Sequence, residues 1–209
     1  MNVHASPVLT PAEAALVEAF AERVSDLPGD AGVTVRRDDA VEMLKAGLPT
    51  RRVEAWHYTD LRRLISSVPA FDPSAKPEAP RPLVEGSTVL RVSNGAAGSA
   101  PSVEGAEAAL FRELLLAGDD RAAMAPADAD DAIGAINAAF VADGFGLTIA
   151  AGAEIADPIE LQNLQAGGQV HVRFPVTVGA GAKAVIVERQ AGSGDALVSS
   201  VSTLDLGEG

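Results

Sequence analysis

The sequence predicts an α+β protein in which an N-terminal helical region leads into a layered unit of very short strands. Two observations carry this. Up to about residue 141 the apolar residues recur at helical spacing; past Gly144 they alternate, as Leu147/Ile149, Ile159/Leu161, Val170/Val172/Phe174, Val176/Val178 and Ala184/Ile186, and more weakly through Leu197, Val201, Leu204 and Leu206. Glycines stand between the runs, at Gly144 and Gly146, Gly152, Gly167 and Gly168, Gly179 and Gly181, and Gly192 and Gly194. Residues 133–188 hold most of this architectural signal, and what precedes them reads as a cap.

The elements follow in order. Thr10-Pro11-Ala12-Glu13 is a capping box with proline at the first helical position, so a helix starts there. Leu16, Val17, Phe20 and Val24 form its apolar face, and Pro28-Gly29 stops it. A second helix is expected over 38–46, with Asp38 at its start, Val41, Leu44 and Leu48 as its stripe, and Gly47 and Pro49 as its stop. Prolines at 69, 73, 77, 80 and 82 make 66–82 an extended linker that neither helix nor ladder can use. Residues 87–92 read as a strand closed by Asn94-Gly95, followed by a loop. Helices are expected over 103–117, burying Leu110, Phe111, Leu114 and Leu115, and over 131–141, gathering Ile133, Ile136, Phe140 and Val141. The implied division is 1–65 helical cap, 66–143 linker with a short strand and helices, and 144–209 the layered β unit.

Within that unit Ile149, Leu161, Phe174, Ile186 and Val198 recur about every twelve residues. Such spacing suits a sandwich or barrel as well as one coil wound repeatedly. Short strands and glycine corners favour the solenoid, and the sandwich stays open.

Composition narrows the function. At 209 residues and 47% hydrophobic content the chain can build one sizeable core with an appendage. It has no cysteine, which excludes a disulfide framework and a thiolate-held zinc or iron–sulfur cluster made by this chain alone. A net charge of -13 opposes nucleic acid and anionic membranes as partners. No basic-then-apolar leader opens the sequence and no apolar run approaches membrane-spanning length, so a soluble, cytoplasmic protein is expected.

No catalytic pattern emerges. The pairs Gly144/Gly146 and Gly179/Gly181 precede strands, which removes the helix N-terminus a phosphate loop needs. There is no Walker lysine pattern and no Gly-x-Ser-x-Gly. His4, His57 and His171 are far apart and lack carboxylates at ligand spacing, so no metal site is expected. Asp128, Asp130 and Asp131 read as capping and solvation. The chain is expected not to be an enzyme.

The most distinctive local composition is 47–62, which holds the only Trp, the only Tyr, one His and three Arg. Arg51, Arg52, Trp56 and Tyr58 can be read as an interface, since such side chains supply rigid contact area and directional donors. They can also be read as a cap anchor, with Trp56 in the core and the arginines solvated. The anchor is the preferred reading.

The run Gly47-Leu48-Pro49-Thr50-Arg51-Arg52-Val53-Glu54-Ala55-Trp56-His57-Tyr58-Thr59-Asp60-Leu61 resembles the N-terminal signature of the SufD family, within the SufB/SufD scaffolds of the SUF iron–sulfur cluster assembly system. A second block is similar in the expected order: Asn137-Ala138-Ala139-Phe140-Val141-Ala142-Asp143-Gly144, Pro158-Ile159-Glu160-Leu161, His171-Val172-Arg173-Phe174, Gly179-Ala180-Gly181-Ala182-Lys183-Ala184 and Glu188. The resemblance implies an N-terminal helical region followed by a right-handed parallel β-helix, incomplete at residue 209. It implies a non-catalytic scaffold that works with SufB-like and SufC-like subunits, ATP hydrolysis belonging to SufC and the iron–sulfur cluster being held transiently by the assembled complex, with no cofactor in this chain. Family members continue for about as many residues again, so the SufC-docking region, the rungs facing SufB and the histidine implicated in cluster formation are expected beyond residue 209. No cluster ligand is therefore carried over, and His171 is expected as a side chain on an early rung. An unpaired rung at 197–206 is expected to be adhesive, favouring self-association through the open β-helix end. The competing reading is a cytoplasmic β-solenoid interaction module unrelated to SUF.

Overall fold

The structure is a computed structural model that describes residues 8–119 and 124–209. The first helix, α1 (Pro11–Arg23), is built as its capping box dictates: the Thr10 side chain accepts from the Glu13 amide, and the Thr10 amide donates to the Glu13 carboxylate at 2.6 Å. A 3-10 turn, Val24–Asp26, continues it.

The next helix, α2 (Ala31–Lys45), starts seven residues before the expected position. Its cap is Asp30, whose carboxylate accepts from the Val33 amide at 2.9 Å, and Asp38 lies exposed in its interior. The buried face is Val33, Arg37, Ala40, Val41 and Leu44. An arginine at a core position and the β-branched Val33-Thr34-Val35 run conceal its first two turns in the sequence.

A 3-10 turn at Glu54–Trp56 and the short α3 (Leu61–Leu64) precede the extended, proline-rich stretch. That stretch is held against the β unit by backbone contacts: Gln169 Nε2 donates to Pro69 O at 2.9 Å, Asn94 Nδ2 to Asp72 O at 2.8 Å and Arg189 Nη1 to Arg81 O at 2.9 Å.

Next come β1 (Thr88–Ser93) and the two-residue β2 (Ala96–Ala97), the latter inside the stretch expected to be loop. Asn94 and Gly95, at φ 48° and 81°, form the tight turn between them. The helix expected over 103–117 is also corrected. Ala106–Leu110 is a strand, β3, and only α4 (Phe111–Ala117) is helical. The Ala-rich strand sequence has helical propensity, yet an antiparallel ladder to β4 claims its backbone. The last helix, α5 (Ala132–Phe140), agrees with expectation and is capped by Asp131, which accepts from Gly134 N at 2.7 Å.

The remaining strands are β4 (Asp143–Ile149), β5 (Ile159–Gln165), β6 (Gly168–Val178), β7 (Ile186–Gly192) and β8 (Ala196–Leu206). They form two mixed sheets, ordered β2-β1-β5-β7 and β3-β4-β6-β8, and neither closes into a barrel. All pairs are parallel except those of β2 and β3, which are antiparallel and sit at one end of each sheet. From β4 to β8 successive strands alternate between the sheets. Paired residues are 29 apart in β4/β6, 27 in β5/β7 and 28 in β6/β8. The twelve-residue spacing of the sequence is thus the step from one sheet to the other. Because β1 pairs with β5 and β3 with β4, the β unit draws on both sides of residue 144.

Two cores result. Leu90, Leu161 and Ile159 of one sheet meet Phe145, Leu147, Val172 and Phe174 of the other. On the outer face of the β3-β4-β6-β8 sheet lie the helices, with Leu16, Phe20, Val33, Leu44, Ile136 and Phe140 between them. Gly144 marks a close approach: a Cβ there would lie 1.8 Å from the Arg173 carbonyl oxygen.

Arg37 fastens α2 to the end of α5. Its Nη1 donates to Ala138 O and Ala139 O at 3.2 and 3.1 Å, and its Nη2 to Pro28 O and Val141 O, both at 2.8 Å. Burial lowers its pKa to about 10, with Arg173 and Arg23 adding to the shift, so it stays charged at neutral pH and complements the helix C-terminus. Replacing Arg37 by methionine keeps the stem and strands those carbonyls; urea unfolding is expected to show a loss of about 3 kcal/mol. A loss under about 0.5 kcal/mol would mean that water reaches the carbonyls instead.

Candidate functional site

The 47–62 stretch is organised by a carboxylate outside it. Glu13, 1% exposed, accepts from the Leu48 amide at 2.8 Å as well as from Thr10, and Arg62 Nε lies 3.2 Å from the same oxygen that Leu48 uses. Arg62 also donates its amide to Pro49 O and its Nη2 to Val8 O. One buried charge thereby joins the start of α1, the loop leaving α2, and α3. The sequence showed Glu13 only as a capping residue, because its longer-range partners lie 35 and 49 positions away.

Trp56 is half-buried against the helical core and donates Nε1 to Asp130 O at 2.8 Å. It joins the stretch to the segment entering α5. Beside it lies a cleft of about 350 Å³ lined by Met43, Leu44, Leu48, Pro49, Val53 and Ala135. Arg51, Arg52 and Tyr58 do not line it. They are exposed, Tyr58 at 85%, with the His57 ring 3.7 Å from the Tyr58 ring. The structure thus places Trp56 in packing and leaves the other three on the surface.

A second polar cluster lies where the helices meet the sheet. His171 is buried on β6, stacked 5.1 Å from Phe140, with Nδ1 2.8 Å from Ser199 Oγ. Asn137 Nδ2 donates to Val172 O at 2.9 Å and to Ser199 O and Oγ at 3.1 Å, while Arg173 Nε donates to Asn137 Oδ1 at 2.6 Å. Sequence reasoning missed Asn137, Ser199 and Arg173 as a set. Alternation in Val170-His171-Val172-Arg173-Phe174 normally places the polar residues in water, but here α5 covers that face.

Among the described residues no group of three His, Asp or Glu could hold a metal ion, and no helix is long and apolar enough to cross a membrane. His4 lies outside the described residues. No protein-family model matches the chain, and no curated protein matches it.

Two outcomes follow from this geometry. Trp56→Ala is expected to cost about 2 kcal/mol in thermal or urea unfolding, whereas Arg51→Ala, Arg52→Ala and Tyr58→Ala stay within about 0.5 kcal/mol. Unchanged stability with lost partner binding would instead make Trp56 a contact residue. Burial, with Arg23 adding, pushes the His171 imidazole down to about 3 from an ordinary 6.5. The unfolded chain therefore binds the extra proton between those values, so this contribution to stability is complete above pH 6.5 and is lost as pH falls toward about 3. Stability measured between pH 6.5 and 5 is expected to fall less steeply in His171→Gln, by up to about 1.4 kcal/mol per unit.

Proposed function

We propose that this chain is a non-catalytic, cytoplasmic scaffold of the SufD kind, acting with SufB-like and SufC-like subunits in iron–sulfur cluster assembly. The observation that carries the reading is the alternation of β4 to β8 between two sheets with parallel partners 27 to 29 residues apart. In this reading each pair of successive strands is one coil, and the two sheets are the opening coils of a right-handed parallel β-helix. The hand follows from the general preference for right-handed connections between parallel strands. A helical cap lying on the outer face of such a coil fits a platform whose partners dock on rigid elements. The two blocks of family resemblance fall where this reading needs them: residues 47–61 are drawn against α1 by Glu13, and Asn137 to Gly144 turn from α5 into the first coil strand.

The cluster is cargo in this scheme, not a resident group. The chain contributes no thiolate, so the sulfur and iron ligands belong to the partner subunits or to recipients. Coexpression with the SufB and SufC proteins of the same organism is the test. The expected outcome is a complex that survives gel filtration and is retained on a tag carried by this chain. Recovery of neither partner would overturn the proposal and leave an interaction module of another system.

A further inference from the structure

The cleft beside Trp56 is apolar inside and carries opposite charges on two of its walls. Of its lining residues Leu44, Leu48 and Ala135 are buried and Met43 and Val53 half-buried, so apolar surface extends from the core to the mouth. One wall is the turn 50–53, closed by Val53 N donating to Thr50 O at 3.0 Å, with Arg51 and Arg52 exposed at its corner. A second wall is formed by Ala129 and Asp130, where Asp130 and the neighbouring Asp128 are exposed. The bond from Trp56 Nε1 to Asp130 O ties these walls together, and the bonds of Glu13 to Leu48 N and of Arg62 N to Pro49 O fix the first, so the cleft is formed before anything enters it. Among the described residues Arg51 and Arg52 are in no ion pair, and neither is the exposed Glu54 that follows them. On a chain with 29 Asp and Glu against 16 Lys and Arg, two adjacent arginines without a carboxylate partner stand out, and residues 1–7 hold no carboxylate that could answer them.

We propose that this cleft docks an acidic segment of a partner protein, which seats one large apolar side chain between the walls and sets its carboxylates against Arg51 and Arg52. The two parts of the site act differently. The net charge of -13 repels an acidic segment from most of the surface, so the arginines select where it lands. The apolar side chain, removed from water against Leu44, Leu48 and Val53, supplies the affinity, and the thioether of Met43 adapts to an aromatic ring. Asp130 gives the site a polarity: carboxylates fit on the arginine side, and a neutral or basic residue on the other. Arginine suits this role because its planar fork meets a carboxylate bidentately, and the fixed turn lowers the ordering cost. A nucleic acid is a poorer occupant, since two arginines beside Asp128 and Asp130 neutralise too few phosphates. The inference rests on the shape and charge of the cleft and is independent of the iron–sulfur reading.

The test uses the whole chain and an acetylated, amidated peptide, Ser-Glu-Glu-Phe-Ser-Lys-Ser, beside two twins, one with glutamine for both glutamates and one with serine for phenylalanine. Amide chemical shifts are followed by NMR at low salt. The expected result is saturable shifts centred on residues 43–53 and 129–135, with the acidic peptide binding at least about fivefold tighter than either twin. The preference over the glutamine twin is expected to vanish in the double variant Arg51→Gln, Arg52→Gln, while the preference over the serine twin remains. Both substitutions lie at an exposed corner, and an unchanged spectrum away from the turn shows that the variant is folded. Equal affinities for the acidic peptide and either twin, or no saturable shift at millimolar peptide, would overturn the proposal. So would shifts at the cleft that grow with protein concentration alone and accompany a dimer in sedimentation, which would assign the cleft to a second copy.

Discussion

A sheet with polar side chains on its outer face can be covered by helices only if those polar groups satisfy one another, and this constraint governs the junction between the two halves of the molecule. Asn137 and Arg37 meet it at the C-terminal half of α5. Asn137 projects from the helix onto the backbone of β6 and β8 and accepts from Arg173, while Arg37 takes up the carbonyls at the helix terminus. Phe140, between them, stacks on His171 and packs edge-on against Phe20. The apolar contact supplies the driving force. The polar bracket sets where α5 lies, because a shift along the sheet would leave several buried groups without partners at once.

Around that junction the β unit is asymmetric. At one end the antiparallel strands β2 and β3 pair with β1 and β4, and Asp143 ties the corner by accepting from the amides of Ala97 and Arg112 and from the Arg112 guanidinium. At the other, β7 and β8 present parallel edges, and their inner positions change from aliphatic to polar: Leu161 is followed by Glu188, and Val172 and Phe174 by Ser200 and Ser202.

The helical cap is tied to itself by a buried charge as well. Glu13 serves the N-terminus of α1 and, through Leu48 and Arg62, holds the 47–62 stretch in place. This leaves Arg51, Arg52 and Tyr58 displayed on a segment whose backbone is fixed, with Trp56 as its anchor. Rigid display of this kind lowers the ordering cost of a contact, which fits the scaffold reading without requiring chemistry at the surface.

The sequence by itself determined the elements whose signals are local. The capping box at Thr10 and the cap at Asp131, the Asn94-Gly95 turn, the apolar spacing of α1 and α5, and the alternation from Leu147 onward are all read within a few residues, because capping, turn geometry and side-chain period act at that range. The tertiary structure alone decided the rest. It made Ala106–Leu110 a strand by offering the edge of β4, extended α2 back to Ala31 by burying Arg37 against α5, and converted a twelve-residue recurrence into two sheets by pairing strands 27 to 29 residues apart. The candidate surface was legible as an unusual composition, but Glu13 as its organiser was not. It depends on partners from distant segments, and no local period records which segments will meet.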